Sequence, residues 1–305
     1  MEKNLQRIAN TLVLYSYHVN NPGLLAGKMG IILYLYRYSK FAGNEFYSEF
    51  AGDMLDTVLR ESATVSTDFE NGLTGIGWAV NYLLKRKIID GDVNDVLRDV
   101  DTRVFGRIEC NPENSVLGHS IYLLERLRDN KDNVDFEKRI QHVLHICRRG
   151  LSDYKGRFSL YHLNSLLYFL IEVDKASQYA DEVEKIRSLI PQILGDINHQ
   201  NCFDSSDIGI FDQLFAAIET ERQPKWQDIL RNRPHRSFHT TGSMEQLIRK
   251  AWMEELYFGR IDANGPTYEH TKNFIDQAQE SITLDNFLFM NGLAGLGCTL
   301  LSQLE

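Results

Sequence analysis

Residues 291–301 read NGLAGLGCTLL, and this stretch decides the fold because its pattern occurs twice more near the start of the chain. Residues 25–36 read LAGKMGIILYLY, and residues 71–80 read NGLTGIGWAV. All three place a G-x-x-G directly before an apolar run. Glycines at this spacing let backbones approach closely where a loop enters a helix, and the apolar residues that follow recur at helical spacing. Each copy is therefore predicted to open a buried inner helix.

Four weaker copies follow once this register is set. The seven copies start at Gly27, Gly72, Ser115, Tyr161, Ser206, Gly242 and Gly292. Successive starts lie 45, 43, 46, 45, 36 and 50 residues apart. A period of roughly 44 residues is typical of helix pairs. The sequence therefore predicts an all-α repeat protein.

Seven helix pairs of this period, the last inner one introduced by GLAGLG at residues 292–297, resemble the lanthionine synthetase C-like family. The resemblance covers nearly the whole chain. It implies an (α/α) toroid, or barrel, of seven helical hairpins, in which seven inner helices line a barrel and seven outer helices surround it. It also implies that residues 1–305 form a single domain.

The composition argues against several classes of function. The chain has 305 residues, of which 43% are hydrophobic, so it can bury a large core. Its net charge is −9 and its basic residues are scattered, so a nucleic-acid partner is not expected. Neither a signal peptide nor a membrane span is visible, and the four cysteines form no C-x-x-C pair. A cytoplasmic protein with reduced thiols is expected.

In the family that the chain resembles, zinc is held by a cysteine before the fifth copy and by a Cys-His pair before the sixth. The metal activates the thiol of a substrate cysteine, which adds to a dehydrated serine or threonine and forms a thioether ring. The matching positions here are Asp204, Thr240 and Thr241, none of which is a soft ligand, and the position that the family fills with histidine before the fourth copy is Leu160. No cofactor is therefore expected.

Two nearby residues leave a shifted metal site as an alternative. Cys202 lies two residues before Asp204, and His239 lies directly before Thr240. Shifted loops could present Cys202, Asp204 and His239 together to zinc. Such a site requires coordinated slippage in both loops, and cysteine is among the residues most often simply buried.

The loops before the late copies are predicted to gather at one rim of the barrel, because equivalent positions in successive hairpins lie at the same height. The candidate rim and peptide-binding residues are Asp204, Asp207, His162, His239, Thr240 and Thr241. With the acidic balance of the chain, such a rim attracts a basic or neutral peptide. The structural alternative is that each Asp near a helix start caps that helix.

The preferred function is a zinc-free protein in the maturation of a ribosomally made peptide. It binds a precursor or modified peptide as the partner of a peptide-modifying enzyme. The first alternative is a zinc-dependent lanthionine (thioether) cyclase with shifted or partner-supplied ligands, so catalytic activity is left open. The second is an (α/α)-barrel carbohydrate-active enzyme, which needs two carboxyl groups facing each other across the mouth. The seven-copy period favours the cyclase-like family over six-hairpin barrels.

Overall fold

The computed structural model describes residues 1–110, 116–130, 134–152, 159–200, 204, 206–216, 229, 243–259 and 266–304. These residues contain no β-strand, which confirms the all-α prediction. The helices are α1 (Glu2–Tyr15), α2 (Lys28–Ala42), α3 (Phe46–Glu61), α4 (Leu73–Lys85), α5 (Val93–Cys110), α6 (Val116–Asp129), α7 (Val134–Ser152), α8 (Leu160–Asp174), α9 (Ala180–Arg187), α10 (Ile190–Gln200), α11 (206–216), α12 (Met244–Phe258), α13 (Tyr268–Glu280) and α14 (Leu293–Ser302).

The clearest copies of the repeat open helices at the predicted places. The helices α2, α4 and α14 begin directly after Gly27, Gly72 and Gly292, each of which is an N-cap in an extended conformation. Outer helices follow between them. None of the helices found in the described ranges is long and apolar enough to cross a membrane.

The sequence predicts one outer helix over residues 180–194, with a kink at Pro191. The structure has two helices there, α9 ending at Arg187 and α10 beginning at Ile190. A proline lacks the amide hydrogen for an intrahelical bond, and its ring clashes with the carbonyl four residues earlier. For Pro191 that carbonyl belongs to Arg187, the last residue of α9.

The chain divides into two compact units. Unit 1 consists of Met1–Val104 and Gly242–Glu305, and unit 2 consists of Phe105–Thr241. In unit 1 the inner helices α12, α14, α2 and α4 pack side by side in that order. The last inner helix of the chain thus contacts the first. The outer helices α1 and α13 also pack together, and Arg7 bonds Asp276 there at 2.6 Å.

Unit 2 repeats the same kind of packing. Its inner helices α6 and α8 lie against each other, and the outer helix α7 contacts both α6 and α9. The buried amide of Asn164 on α8 donates to the backbone carbonyl of Asp207 on α11 at 2.8 Å. Phe105, Tyr122 and Phe136 form an aromatic cluster in which Phe105 contacts both other rings.

Burial separates inner from outer helices. Every residue of α14 from Leu293 to Leu301 is buried, as expected for a helix surrounded by other helices. The outer helix α13 buries only Thr271, Ile275 and Ala278, which form one face at helical spacing. The predicted distinction between the two helix types is visible in unit 1. A closed toroid of seven hairpins and a single domain over residues 1–305 stay predictions.

Candidate functional site

The loops that open three inner helices of unit 1 are joined through equivalent positions. The amide of Met290 donates to the carbonyl of Leu25 at 3.0 Å, and the amide of Leu25 donates to the carbonyl of Glu70 at 2.8 Å. Each of these residues lies two positions before the first glycine of its copy. The indole of Trp252 on α12 extends the series by donating to the carbonyl of Met290 at 3.2 Å. Equivalent loops in unit 1 therefore lie side by side.

The second glycine of each G-x-x-G lies in close contact with a residue of an adjacent repeat. A Cβ atom on Gly75 would lie 2.0 Å from the carbonyl oxygen of Phe69 and 3.0 Å from the Cβ of Leu24. A Cβ on Gly30 would lie 2.3 Å from the Cβ of Phe289. Leu24 and Phe289 occupy equivalent positions in adjacent copies. The close approach expected from sequence is thus present, and it seats a side chain of one repeat against the helix start of the next.

Inside unit 1 these loops and helices form a narrow, partly open pocket. Its walls are mostly aromatic and aliphatic. The lining residues are Leu24, Leu33, Phe69, Trp78, Tyr82, Trp252, Glu255, Leu256 and Phe289. Trp78 lies near both Phe69 and Tyr82, with ring centroids 6.2 and 5.4 Å away. Among the described lining residues, Glu255 is the one carboxylate, whereas glycoside hydrolysis needs a pair.

Glu255 sits in a polar cluster built by four inner helices. Its carboxylate accepts a hydrogen bond from the Tyr82 hydroxyl at 2.7 Å and from the Ser302 hydroxyl at 3.3 Å. Arg37 Nη1 lies 3.4 Å from the same carboxylate, and Arg37 Nη2 donates to Ser302 at 2.6 Å. Arg86 adds a second guanidinium at 3.6 Å. Burying a charge requires such pairing and hydrogen bonding.

The cluster arises from the repeat, although sequence reasoning missed it. Arg37, Tyr82 and Ser302 each lie ten residues after the first glycine of their copies, so they share one height on adjacent helices. The available signal was a side chain with a polar group at this same offset in three largely apolar helices. Glu255 has no such signal, because it lies on α12, whose copy is less regular.

The environment keeps the Tyr82 phenol protonated. Burial raises the pKa of Tyr82 above its ordinary value, the charge of Arg37 opposes that shift, and Glu255 reinforces it. The phenol therefore remains a hydrogen-bond donor to Glu255 at neutral pH. The guanidinium of Arg86 lies over the Tyr82 ring, 4.7 Å from its centroid, and that of Arg37 lies 5.8 Å from it.

The predicted rim residues that the structure describes lie in unit 2. The Asp204 carboxylate accepts hydrogen bonds from the amide and the hydroxyl of Ser206, at 2.8 and 2.7 Å, at the start of α11. Asp207 is only 2% exposed. His162 is exposed, and its Nδ1 lies 2.7 Å from the hydroxyl of Ser159, the N-cap of α8. These contacts match the capping alternative for Asp204, while a peptide-binding rim stays a prediction.

Cys202, His239, Thr240 and Thr241 lie outside the described residues. In the described part of the chain, no three His, Cys, Asp or Glu side chains come together in a way that could hold a metal ion. At the positions implied by the resemblance, the sequence offers carboxylate and hydroxyl groups where zinc needs thiolate and imidazole. The residues present there do not fit the family's zinc site.

Taken together, the fold and the pocket define an all-α helical-repeat protein with an aromatic pocket and a buried polar cluster around Glu255. No protein-family model, no curated protein and no solved structure shows a significant match to this chain. The likeness to lanthionine synthetase C-like proteins therefore rests on the repeat pattern alone.

Proposed function

We propose that this protein is a lanthionine synthetase C-like repeat protein that binds a precursor or modified peptide during the maturation of a ribosomally made peptide. It acts without zinc, as the partner of a peptide-modifying enzyme. The observation that carries this proposal is the unit 1 pocket, which opens among the loops and inner helices of successive repeats. Concave sites with aromatic walls and a few polar groups are typical of ligand-binding pockets.

A peptide suits this pocket chemically. Phe69, Trp78 and Phe289 supply apolar walls for a side chain, and the polar cluster supplies one charged end. The donor set at the projected zinc positions argues for binding rather than thioether chemistry, because Asp204, Thr240 and Thr241 lack thiolate and imidazole groups.

The test uses the full chain and synthetic precursor peptides encoded beside its gene, in unmodified and dehydrated forms. Calorimetry should detect binding of at least one peptide. Trp78→Leu should weaken it, whereas Phe46→Leu, a matched change at an exposed aromatic on α3, should not. Failure of every encoded peptide to bind overturns the proposal.

Thioether formation does not change peptide mass, so free thiols are counted after trapping with N-ethylmaleimide. All peptide thiols should remain free after incubation with the protein and zinc. Ring formation that depends on zinc and disappears in Cys202→Ala would instead establish the cyclase alternative.

A further inference from the structure

A cluster of apolar side chains lies at the surface of unit 1, where the chain after α1 meets α3. Tyr17, in the short 3₁₀ helix Ser16–His18, approaches the Phe50 ring edge-on, with ring centroids 6.5 Å apart. Phe46 stacks on Phe50 and supports its ring. Tyr17 is 81% exposed, and Leu14, three residues before it, is 66% exposed. Isolated apolar residues are normal at a protein surface, whereas an adjoining group is typical of an interaction site.

The packing of α3 does not explain these side chains. The residues that α3 buries form one face at helical spacing: Tyr47, Ala51, Leu55 and Val58. Phe46 and Phe50 adjoin that face but do not belong to it. Leu14 and Tyr17 lie outside α3 and are both largely in water. Their exposure is therefore available for contact with another molecule.

Carboxylates lie beside the apolar cluster. Glu49 and Asp53 are exposed on α3, one turn apart. Asp53 follows Phe50 by three residues, which places the two side chains next to each other on the helix. Glu49 lies in the first turn, where a negative charge suits the helix dipole, but Asp53 lies beyond the reach of that effect. Neither forms an ion pair within the residues that the structure describes.

Other outer helices neutralise such carboxylates with cations of their own. The pairs three residues apart are Asp95 with Arg98 on α5, Asp135 with Lys138 on α7 and Glu182 with Lys185 on α9. Glu49 and Asp53 have no lysine or arginine three or four residues after them. Like charges four residues apart also destabilise a helix slightly. The negative charge beside the rings is therefore left for a cation from outside α3.

We propose that the α3 surface, formed by Leu14, Tyr17, Phe50, Glu49 and Asp53, docks a segment of a protein partner that carries apolar side chains flanked by lysine or arginine. Burial of the apolar groups drives association, and the carboxylates select the basic groups. The inference rests on the proposed function only for the identity of this partner, the peptide-modifying enzyme.

The charge of the α3 surface argues against two other occupants. A second copy of this chain, joined through the same surface on both molecules, would bring its own carboxylates face to face. An anionic lipid surface attracts basic groups and repels carboxylates. A basic, apolar polypeptide segment matches both the rings and the charges.

The first experiment titrates the full chain into three fluorescein-labelled helical peptides of equal length and follows fluorescence anisotropy. One peptide combines leucine with lysine, the second combines serine with lysine, and the third combines leucine with glutamate. The leucine–lysine peptide should bind roughly tenfold or more tightly than either of the others, because each of those lacks one half of the match. Equal binding of the serine–lysine or the leucine–glutamate peptide overturns the proposal.

The second experiment locates the contact. The double change Leu14→Ser and Tyr17→Ser should weaken binding of the leucine–lysine peptide roughly tenfold, because it removes two apolar side chains from the surface. The matched control is Tyr268→Ser with Ile282→Ser, which removes apolar side chains that are 55% and 53% exposed near the two ends of α13. A loss no larger in the first variant than in the control contradicts the proposal.

The charges are tested in the same way. Glu49→Gln with Asp53→Asn should weaken binding of the leucine–lysine peptide roughly threefold at low salt and reduce its salt dependence. Glu269→Gln with Glu280→Gln removes the same charge from exposed positions of α13 and should have a smaller effect. Equal affinities of the two charge variants would show that the carboxylates of α3 do not select the ligand.

The two other occupants are tested directly. Sedimentation measures self-association of the full chain, and flotation measures its binding to vesicles of phosphatidylcholine and phosphatidylserine. Neither property should depend on Leu14 and Tyr17. A dimer, or vesicle binding, that is lost in the Leu14→Ser and Tyr17→Ser variant assigns the surface to a second copy or to lipid and overturns the proposal.

The precursor-peptide titration separates this inference from the proposed function. If no precursor peptide binds but the leucine–lysine peptide binds at the α3 surface, the proposed function fails and the docking surface stands. If a precursor peptide binds in a way that depends on Trp78, but the leucine–lysine peptide is insensitive to the changes on the α3 surface, the docking surface fails and the function stands.

Discussion

At the scale of single residues, the glycines of the repeat are needed where neighbouring backbones approach closely. Gly75 is required because a backbone carbonyl and a neighbouring repeat occupy the space that a side chain would fill. Gly52, on the outer helix α3, meets nothing closer than the Tyr36 hydroxyl at 3.4 Å. The same residue type is thus required at position 75 and replaceable at position 52, because only Gly75 has neighbouring atoms where a Cβ would lie.

Gly75→Ala should destabilise the protein by about 1–3 kcal/mol, because the added methyl forces the loop away from the helix. The matched change Gly52→Ala should be neutral or stabilise the helix by about 0.5–1 kcal/mol, because alanine loses less conformational entropy than glycine when the helix folds. Urea unfolding followed by circular dichroism measures both. Equal stability of the two variants would show that the close approach at Gly75 is relieved without strain.

Cys147 on α7 provides a second prediction at this scale. Burial raises the pKa of its thiol from 9.0 to about 12. In the native protein at pH 9, iodoacetamide should therefore alkylate Cys147 at least roughly a hundredfold more slowly than in urea. Peptide mapping by mass spectrometry gives the site-specific rates, and comparable rates in both states would contradict the burial.

The same pKa shift affects stability at high pH. The folded state holds the Cys147 proton more tightly than the unfolded state does, so the stabilising contribution is complete below pH 9.0 and is lost as pH rises through about 12. The urea midpoint of unfolding should fall over this window.

At the scale of elements, the loops of unit 1 behave as parts of the packed structure. The amides of Leu25 and Met290 donate across repeats, and the side chain of Leu25 is fully buried. Loop amides with long-range partners of this kind open only when neighbouring repeats separate.

Hydrogen exchange should therefore show slow exchange at Leu25 and Met290, comparable to the interior of α2. Asn44 is the control, because its amide donates to Ser39 within an exposed local turn and needs no neighbouring repeat. Exchange at Leu25 as fast as at Asn44 would mean that the loops separate independently of the helices.

At the scale of the whole molecule, unit 1 is assembled from both ends of the chain. The helices α1 and α2 pack against α13 and α14, so the N-terminal repeats need the C-terminal ones. In α14, Leu293, Leu296 and Leu300 are each 0% exposed. Burial of such a side chain contributes about 1.5–3 kcal/mol, so these three alone approach the total stability of about 5–15 kcal/mol typical of a domain.

Deleting residues 284–305 should unfold unit 1, with a loss of helicity well beyond the removed segment. Deleting only residues 304–305 should change little, because Leu304 is 48% exposed. Circular dichroism and thermal unfolding compare the two truncations. A cooperative transition retained after the long deletion would show that the first repeats fold without the last.

The toroid is a further prediction at this scale. A crystal structure should place the seven segments beginning at Gly27, Gly72, Ser115, Tyr161, Ser206, Gly242 and Gly292 around one axis. An open arrangement of these segments would contradict it.

The sequence by itself determined the helical class and the starts of α2, α4 and α14. It could do so because G-x-x-G and helical apolar spacing are local properties of the chain. It also indicated the interruption at Pro191, since proline acts on its own helix. The third to sixth copies lack the full G-x-x-G, so their helices were predictable only through the period.

Only the tertiary structure decided the pocket and its charges. Glu255 meets Arg37, Tyr82 and Ser302 because four helices place these side chains together. The shared offset of ten residues puts Arg37, Tyr82 and Ser302 at one height, but nothing in the sequence places Glu255 beside them. The burial of Asp207 and the hydrogen bonds of Asp204 to Ser206 likewise depend on packing around α11. Helix periodicity is set by neighbouring residues, whereas the partner of a buried charge is set by which helices become neighbours in space.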